Sequence, residues 1–298
     1  MRNIANIFSL LLLLISSDYK LFAQGKEVEE LWKNQLDTGK IAYAKSMYLE
    51  VDEKEVLNLI NRQPSFAMYK DNYFITGIPT NQKISKYTAD AKFQLSIRQR
   101  LTKSVLPFNS LLMLTYTQKS FWNIYQKSSP FADNNYNPGL ALAKPVILHN
   151  KLEGIGILAF EHESNGIGDS LESRSWNYFV LTGTYFYNLY FTFQAKIWAG
   201  WADSENADLF NYRGYGLIAI NYRSLSDRIW ITAIINPRKS FEGINTQLEL
   251  SLKLTPKANQ YLFLQWYNGY GESLLEYNQF SSMVRIGICV KPPLRNMF

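Results

Sequence analysis

Residues 247–254 read Gln-Leu-Glu-Leu-Ser-Leu-Lys-Leu. In an extended chain successive side chains point to opposite faces. Leu248, Leu250, Leu252 and Leu254 therefore line one face, and Gln247, Glu249, Ser251 and Lys253 the other. Four leucines outward and four polar groups inward is what a polar-lined barrel in lipid requires. A soluble sandwich would bury the same leucines in its core, so one strand alone does not decide. Residues 92–101 repeat the pattern, with Phe93, Leu95 and Ile97 opposed to Gln94, Ser96 and Arg98. Working outward, alternating stretches recur near 72–79, 91–101, 109–119, 137–148, 151–163, 175–187, 188–200, 209–221, 226–236, 244–254, 258–268 and 281–290. They number about twelve, the even count that single-chain bacterial barrels prefer, and several have the 10–12 residues a tilted strand needs to cross a bilayer. The expected fold is all-β: a transmembrane antiparallel barrel of about twelve strands behind a short N-terminal periplasmic segment.

The ends and the composition agree. Residues 1–23 read as a secretory signal peptide: Arg2 is the positive start, Ile7–Ile15 the short apolar stretch, and Leu21-Phe22-Ala23 the cleavage site. Residues 24–65 are charged, helix-prone in places and without alternation, hence the expected periplasmic segment; residues 66–298 form the expected barrel domain. Phe298 supplies the terminal aromatic common in outer-membrane barrels. Aromatic residues make up 15% of the chain, yet mean hydropathy is slightly negative. Polar lumen residues diluting an apolar, aromatic-girdled exterior give that combination. Cys289 is the only cysteine, so no internal disulfide can form. The formal charge is +6; Arg2, Lys20 and Asp18 take +1 of it with the signal segment, and the modest remainder suits a solvated surface or anionic lipid, not a nucleic-acid partner.

Chemistry concentrates at residues 162–177, His-Glu-Ser-Asn-Gly-Ile-Gly-Asp-Ser-Leu-Glu-Ser-Arg-Ser-Trp-Asn. Leu158, Phe160, His162 and Ser164 share one strand face, an apolar one, while Glu161 and Glu163 share the other. A serine becomes a nucleophile when a base takes its proton, and an imidazole in reach can do so. A third group must hold the ring, and a tight turn would bring Asn177 beside His162. Unlike an aspartate, Asn177 cannot neutralise the imidazolium, so the oxyanion needs the Gly166 N–H or a bound cation. Backbone carbonyls near Ile167, the Ser173 hydroxyl and Asp169 offer hard oxygen donors of the kind calcium takes. By itself a His-x-Ser pair on a strand is commonly incidental, and Asn, Gly and Asp are ordinary turn formers. His149 has no such neighbours and is given no role.

His162-x-Ser164-Asn165-Gly166 followed by Ser173-Arg174-Ser175-Trp176-Asn177 resembles the active-site signature of the outer membrane phospholipase A family. So do an upstream block (Tyr116-Thr-Gln118-Lys-Ser-Phe-Trp122, Ser128-Ser-Pro-Phe131, Asn135-Tyr-Asn-Pro138) and a C-terminal one (Gly269-Tyr-Gly-Glu-Ser-Leu274 with Tyr277-Asn278). The resemblance runs from about residue 66 to the end. It implies a twelve-stranded outer-membrane barrel that hydrolyses acyl esters of phospholipids and lysophospholipids, requires Ca2+ and is active as a homodimer. By the same resemblance Ser164 is the nucleophile, His162 the base, Asn177 the orienting group and Gly166 the oxyanion donor. Ser173 by its side chain and Ile167 by its carbonyl are implied calcium ligands, with Ser128 supplied by the second subunit and Glu205 a looser acidic match. Ile167 stands where the family usually has arginine, which leaves a backbone carbonyl available. The loop to Asn177 is one residue longer than usual, so Gly168 is the alternative ligand. Gln118 shares a face with Leu112, Leu114 and Tyr116 and should point into lipid, where an unpaired amide costs several kcal/mol; a partner subunit would satisfy it, as would a bond within its own chain. Two other readings stand beside the enzyme: a catalytically inactive barrel serving as a pore or structural protein, and a soluble secreted sandwich.

Overall fold

The computed structural model describes residues 53–148, 151–168, 171–188, 190–224, 226–255 and 259–292. The expected signal segment, most of 24–65, His149, Asp169 and Phe298 lie outside the described residues. A helix, α1 (Glu53–Arg62), precedes the strands β1 (Phe66–Met68), β2 (Asn72–Pro79), β3 (Asp90–Arg100), β4 (Leu111–Trp122), β5 (Phe131–Leu148), β6 (Lys151–Ser164) and β7 (Ser175–Phe186). Then come β8 (Phe191–Ala202), a short helix α2 (Leu209–Arg213), β9 (Gly216–Arg223), β10 (Ile229–Pro237), β11 (Ile244–Lys253), β12 (Gln260–Gly269) and β13 (Ser281–Val290).

From β2 onward each strand pairs antiparallel with its neighbours in the chain, and β13 pairs back onto β2. The sheet is thus a closed meander with no free edge. Both β1 and β2 pair with β3, through Phe66↔Gln99 and Tyr73↔Gln94, so they form one stave interrupted at Tyr69–Asp71. The break is bridged by Tyr69 N–H to the Ser96 carbonyl (3.2 Å) and Ser96 N–H to Asn72 Oδ1 (2.6 Å). Counted by staves, the barrel has the expected twelve. Arg100 fastens α1 to it by donating to the carbonyls of Ile60, Asn61 and Gln63 at the helix C-terminus.

The alternation in sequence becomes an inside and an outside. On β11 and β12, Leu252, Leu262 and Leu264 face out, whereas Ser251, Phe263 and Gln265 are fully enclosed. The lumen is filled by paired charges: Lys92 Nζ to Gln265 and Glu272 (both 2.9 Å), Arg285 to Glu272 and Asp90 (both 2.7 Å), Arg213 to Glu163 (2.6 Å) and Lys196 to Glu161 (3.8 Å). Buried charge is tolerable only when paired in this way. In the β12–β13 loop, burial pushes the Glu272 carboxyl up, but Arg285 and Lys92 outweigh it and hold the group down at about 2. Breaking one such pair is costly. Arg213→Ala strands Glu163 and is expected to destabilise the folded barrel by roughly 3–5 kcal/mol, measured by urea unfolding in lipid vesicles.

Two expected strands differ in extent. The stretch 209–221 opens as α2, and its strand starts at Gly216. Leu209 is fully buried, and Phe210 packs on Trp176 and Tyr215. Gly214 then turns the chain at φ +60° where a Cβ would lie 2.0 Å from the Pro237 carbonyl oxygen, a position open only to glycine. Packing of these aromatics at the barrel mouth overrode local alternation. The strand expected from 137 begins earlier, at Phe131, where the Phe131 ring stacks on Trp122 at 5.2 Å.

Candidate active site

β6 and β7 are joined by a loop at one end of the barrel, and their register decides what meets there. On the inner face Glu163 lies directly opposite Trp176, and Glu161 opposite Tyr178. Each pair is hydrogen-bonded, Trp176 Nε1 to Glu163 at 2.8 Å and the Tyr178 hydroxyl to Glu161 at 2.6 Å. A one-residue slip of β6 would send both glutamates to lipid and away from their partners, so these inner pairs lock the register. On the outer face the same register sets His162 opposite Asn177, Phe160 opposite Phe179 and Ser164 opposite Ser175.

His162 Nδ1 lies 2.9 Å from Asn177 Oδ1. An amide oxygen only accepts, so Nδ1 carries the proton and Nε2 is left as the basic nitrogen. Ser164 is two positions on along the same face, and both residues are half-buried. Among the described residues its hydroxyl has no hydrogen-bond partner. Catalytic contacts of this kind often close only around substrate. Below them runs an apolar outer wall with Leu158, Phe160, Phe179, Leu181 and Trp201 all exposed.

A third strand supports the histidine. Pro138 on β5 has no N–H to give to β6, and the β5–β6 pairing skips from Tyr136↔Ser164 to Gly139↔Glu161. The Asn137 side chain fills the gap, donating to the His162 carbonyl at 3.0 Å and to the Tyr178 hydroxyl at 3.1 Å. Asn137 was visible in the sequence as part of an Asn-Tyr-Asn-Pro run, but nothing there showed that its amide replaces a missing ladder donor.

The loop after Ser164 is organised by Asn165, to which the sequence assigned no role. Its Oδ1 accepts from the N–H groups of Ile167 (3.3 Å) and Arg174 (3.1 Å), and its Nδ2 donates to the Glu172 carbonyl (2.7 Å). Gly166 is thereby held at φ +72°, and a Cβ there would stand 2.8 Å from the Tyr136 ring. The Ile167 carbonyl and the Ser173 hydroxyl take no hydrogen bond among the described residues. Two neutral oxygens on one braced loop fit a hard cation. Among the described residues no three His, Cys, Asp or Glu side chains gather as a ready metal cluster; Asp169 lies outside them.

The β8–β9 loop docks on the start of β7. Fully buried Asn206 donates to the Ser175 carbonyl (3.0 Å) and accepts from its N–H (3.2 Å), and the Ser175 hydroxyl donates to Asp203. Glu205 is carried exposed on that loop, where its carboxylate accepts from Ser204 (2.9 Å). Gly168 is exposed at the edge of the described loop, and Ser128 is exposed at φ +65° in the β4–β5 turn. Thus His162, Ser164, Asn177, Gly166, Ile167 and Ser173 share one strand pair and its loop. Ser128 and Glu205 sit on separate loops at the same barrel end.

Gln118 faces outward as expected, but its amide is not stranded. The Tyr116 hydroxyl donates to its Oε1 (3.2 Å), and its Nε2 donates to Ser120 (3.0 Å). Of the two ways of satisfying it, the bonds within its own chain are made by same-face neighbours on β4, and they leave one Nε2 proton for a second partner.

Comparison with known proteins bears on this geometry. A family model described as phospholipase A1 matches residues 53–290. The chain belongs to the phospholipase A1 family. As a member it is a carboxylic ester hydrolase built on an outer-membrane barrel. The phospholipase A1 of Escherichia coli K12 is 33% identical over 207 residues, covering 67% of this chain and 68% of that protein. A putative phospholipase A1 of Neisseria meningitidis is 30% identical over 215 residues, and the match spans about half, 54%, of that longer protein. Among solved structures, outer membrane phospholipase A of E. coli matches at TM-score 0.68 and 28% identity, over 76% of this chain and 99% of that one. The Salmonella typhi outer membrane phospholipase dimer with bound calcium matches at TM-score 0.68 and 27% identity, over 78% of this chain and 95% of that one. This phospholipase-family barrel carries its candidate triad on the wall that faces lipid.

Proposed function

We propose that the chain hydrolyses acyl esters of phospholipids and lysophospholipids on its outer wall, with calcium and as a homodimer. The observation that carries this is the His162 Nδ1–Asn177 Oδ1 bond of 2.9 Å on the lipid-facing side of β6 and β7. Acyl chains lie along Leu158, Phe160 and Leu181, which places the ester at the level of Ser164. His162 Nε2 takes the Ser164 proton as Oγ attacks the ester carbonyl, and returns it to the departing alcohol or lysolipid oxygen. The acyl-serine is then cleaved by water, with His162 again as base. Asn177 holds the ring, and the Gly166 N–H donates to the oxyanion. A calcium ion held by the Ile167 carbonyl and Ser173 Oγ, with Gly168 as the alternative carbonyl, Glu205 nearby and Ser128 of the partner subunit, supplies the positive charge that a neutral asparagine does not. The dimeric, calcium-bound Salmonella structure supports that part of the reading.

The test is fatty-acid release from phospholipid and lysophospholipid in detergent. Asn177→Ala removes one neutral hydrogen bond and is expected to lower kcat/KM about 5–30-fold, the rate equivalent of ~1–2 kcal/mol. Unchanged activity would remove Asn177 from the triad. A folded barrel that conducts ions and releases no fatty acid would favour the pore reading.

A further inference from the structure

The same end of the barrel holds a polar cavity of about 310 Å³ between the start of β5, the β2–β3 loop and the β12–β13 loop. Asp133 lies at its wall and is only 5% exposed. Its Oδ2 is saturated, accepting from Asn135 Nδ2 (2.6 Å) and from the N–H groups of Leu274 and Leu275 (both 3.0 Å). Its Oδ1 is buried and has no partner. A bare, enclosed carboxylate oxygen is among the most costly groups a fold can carry.

The charges around it do not balance either. Asp90, Glu272, Asp133 and Glu276 all line this cavity. Arg285 and Lys92 pair with Asp90 and Glu272. Among the described residues no lysine or arginine pairs with Asp133 or Glu276. Partial burial, then Asp133, Asp90 and Glu272, push the Glu276 carboxyl above its ordinary value. The other oxygen-bearing side chains of the lining are amides and hydroxyls, Asn123, Gln279 and Ser273 among them, with no histidine or cysteine. An all-oxygen set with two uncompensated carboxylates suits a hard divalent cation and not a softer metal.

We propose that this cavity binds a divalent cation of the calcium class between Asp133 Oδ1 and the Glu276 carboxylate, tying the start of β5 to the β12–β13 loop. The site is separate from the Ile167–Ser173 loop, and its occupancy does not depend on catalysis. The test counts calcium bound per folded chain in detergent by flow dialysis, together with the temperature at which compact gel mobility is lost. Asp133→Asn keeps the acceptor for Leu274 and Leu275 while removing the charge; Glu276→Gln, at the exposed rim, leaves the buried network alone. Each is expected to bind one calcium fewer than wild type, whereas Ser173→Ala binds as many at saturating calcium, one of them about tenfold more weakly. Calcium should raise the wild-type transition by several degrees more than that of Asp133→Asn, which keeps only the Ile167–Ser173 site. In chelator, Asp133→Asn should melt no lower than wild type. If both carboxylate variants bind as much calcium as wild type with the same thermal response, the cavity holds water only and the proposal is overturned.

Discussion

Replacing Ser164 with alanine is expected to leave a folded barrel whose fatty-acid release is lower by about 10⁴-fold or more, some 5.5 kcal/mol of transition-state stabilisation. The hydroxyl makes no hydrogen bond that holds the fold, and its outward, half-buried place on β6 tolerates a methyl group. The register lies elsewhere, in the inward Glu163–Trp176 and Glu161–Tyr178 pairs. Heat-modifiable gel mobility should therefore match wild type while product falls to background. Full residual activity would remove Ser164 as nucleophile and with it the lipid-face mechanism.

Withdrawing calcium from the wild type should have the second-largest effect, reducing release to near background and recovering on re-addition. Asn177 is neutral, so an imidazolium and an oxyanion form without a fixed carboxylate beside them, and the missing charge must come from elsewhere. Ser173→Ala removes one oxygen donor from the braced loop. It is expected to raise the calcium needed for half-maximal activity about tenfold, or ~1.4 kcal/mol, with little change at saturation. Because Ser128 would come from the partner subunit, specific activity should also rise with protein concentration in detergent. A rate indifferent to chelator refutes the metal role, and one independent of concentration refutes dimer activation.

Much of this molecule was present in its residue order. Period-two alternation such as that of residues 247–254 follows from backbone geometry alone, so strand number, inside and outside could be read without a fold. For the same reason His162 and Ser164 had to share a face. The His-x-Ser-Asn-Gly block and its companions carried the family resemblance. What local pattern could not supply is anything set by contacts distant in the chain. The run 209–221 alternates, yet its first residues coil because Leu209 and Phe210 bury against aromatics brought from other strands. Gln118 could be read as bonding to a partner subunit or within its own chain, and only the folded strand shows Tyr116 and Ser120 bonded to it. Asn137 and Asn206 act as braces only after β5 and the β8–β9 loop reach their partners. The sequence by itself determined the barrel, its two faces and which residues could do chemistry, since alternation and residue type are local properties. Only the tertiary structure decided which side chains meet, because cross-strand register and loop docking depend on pairing between segments far apart in the chain.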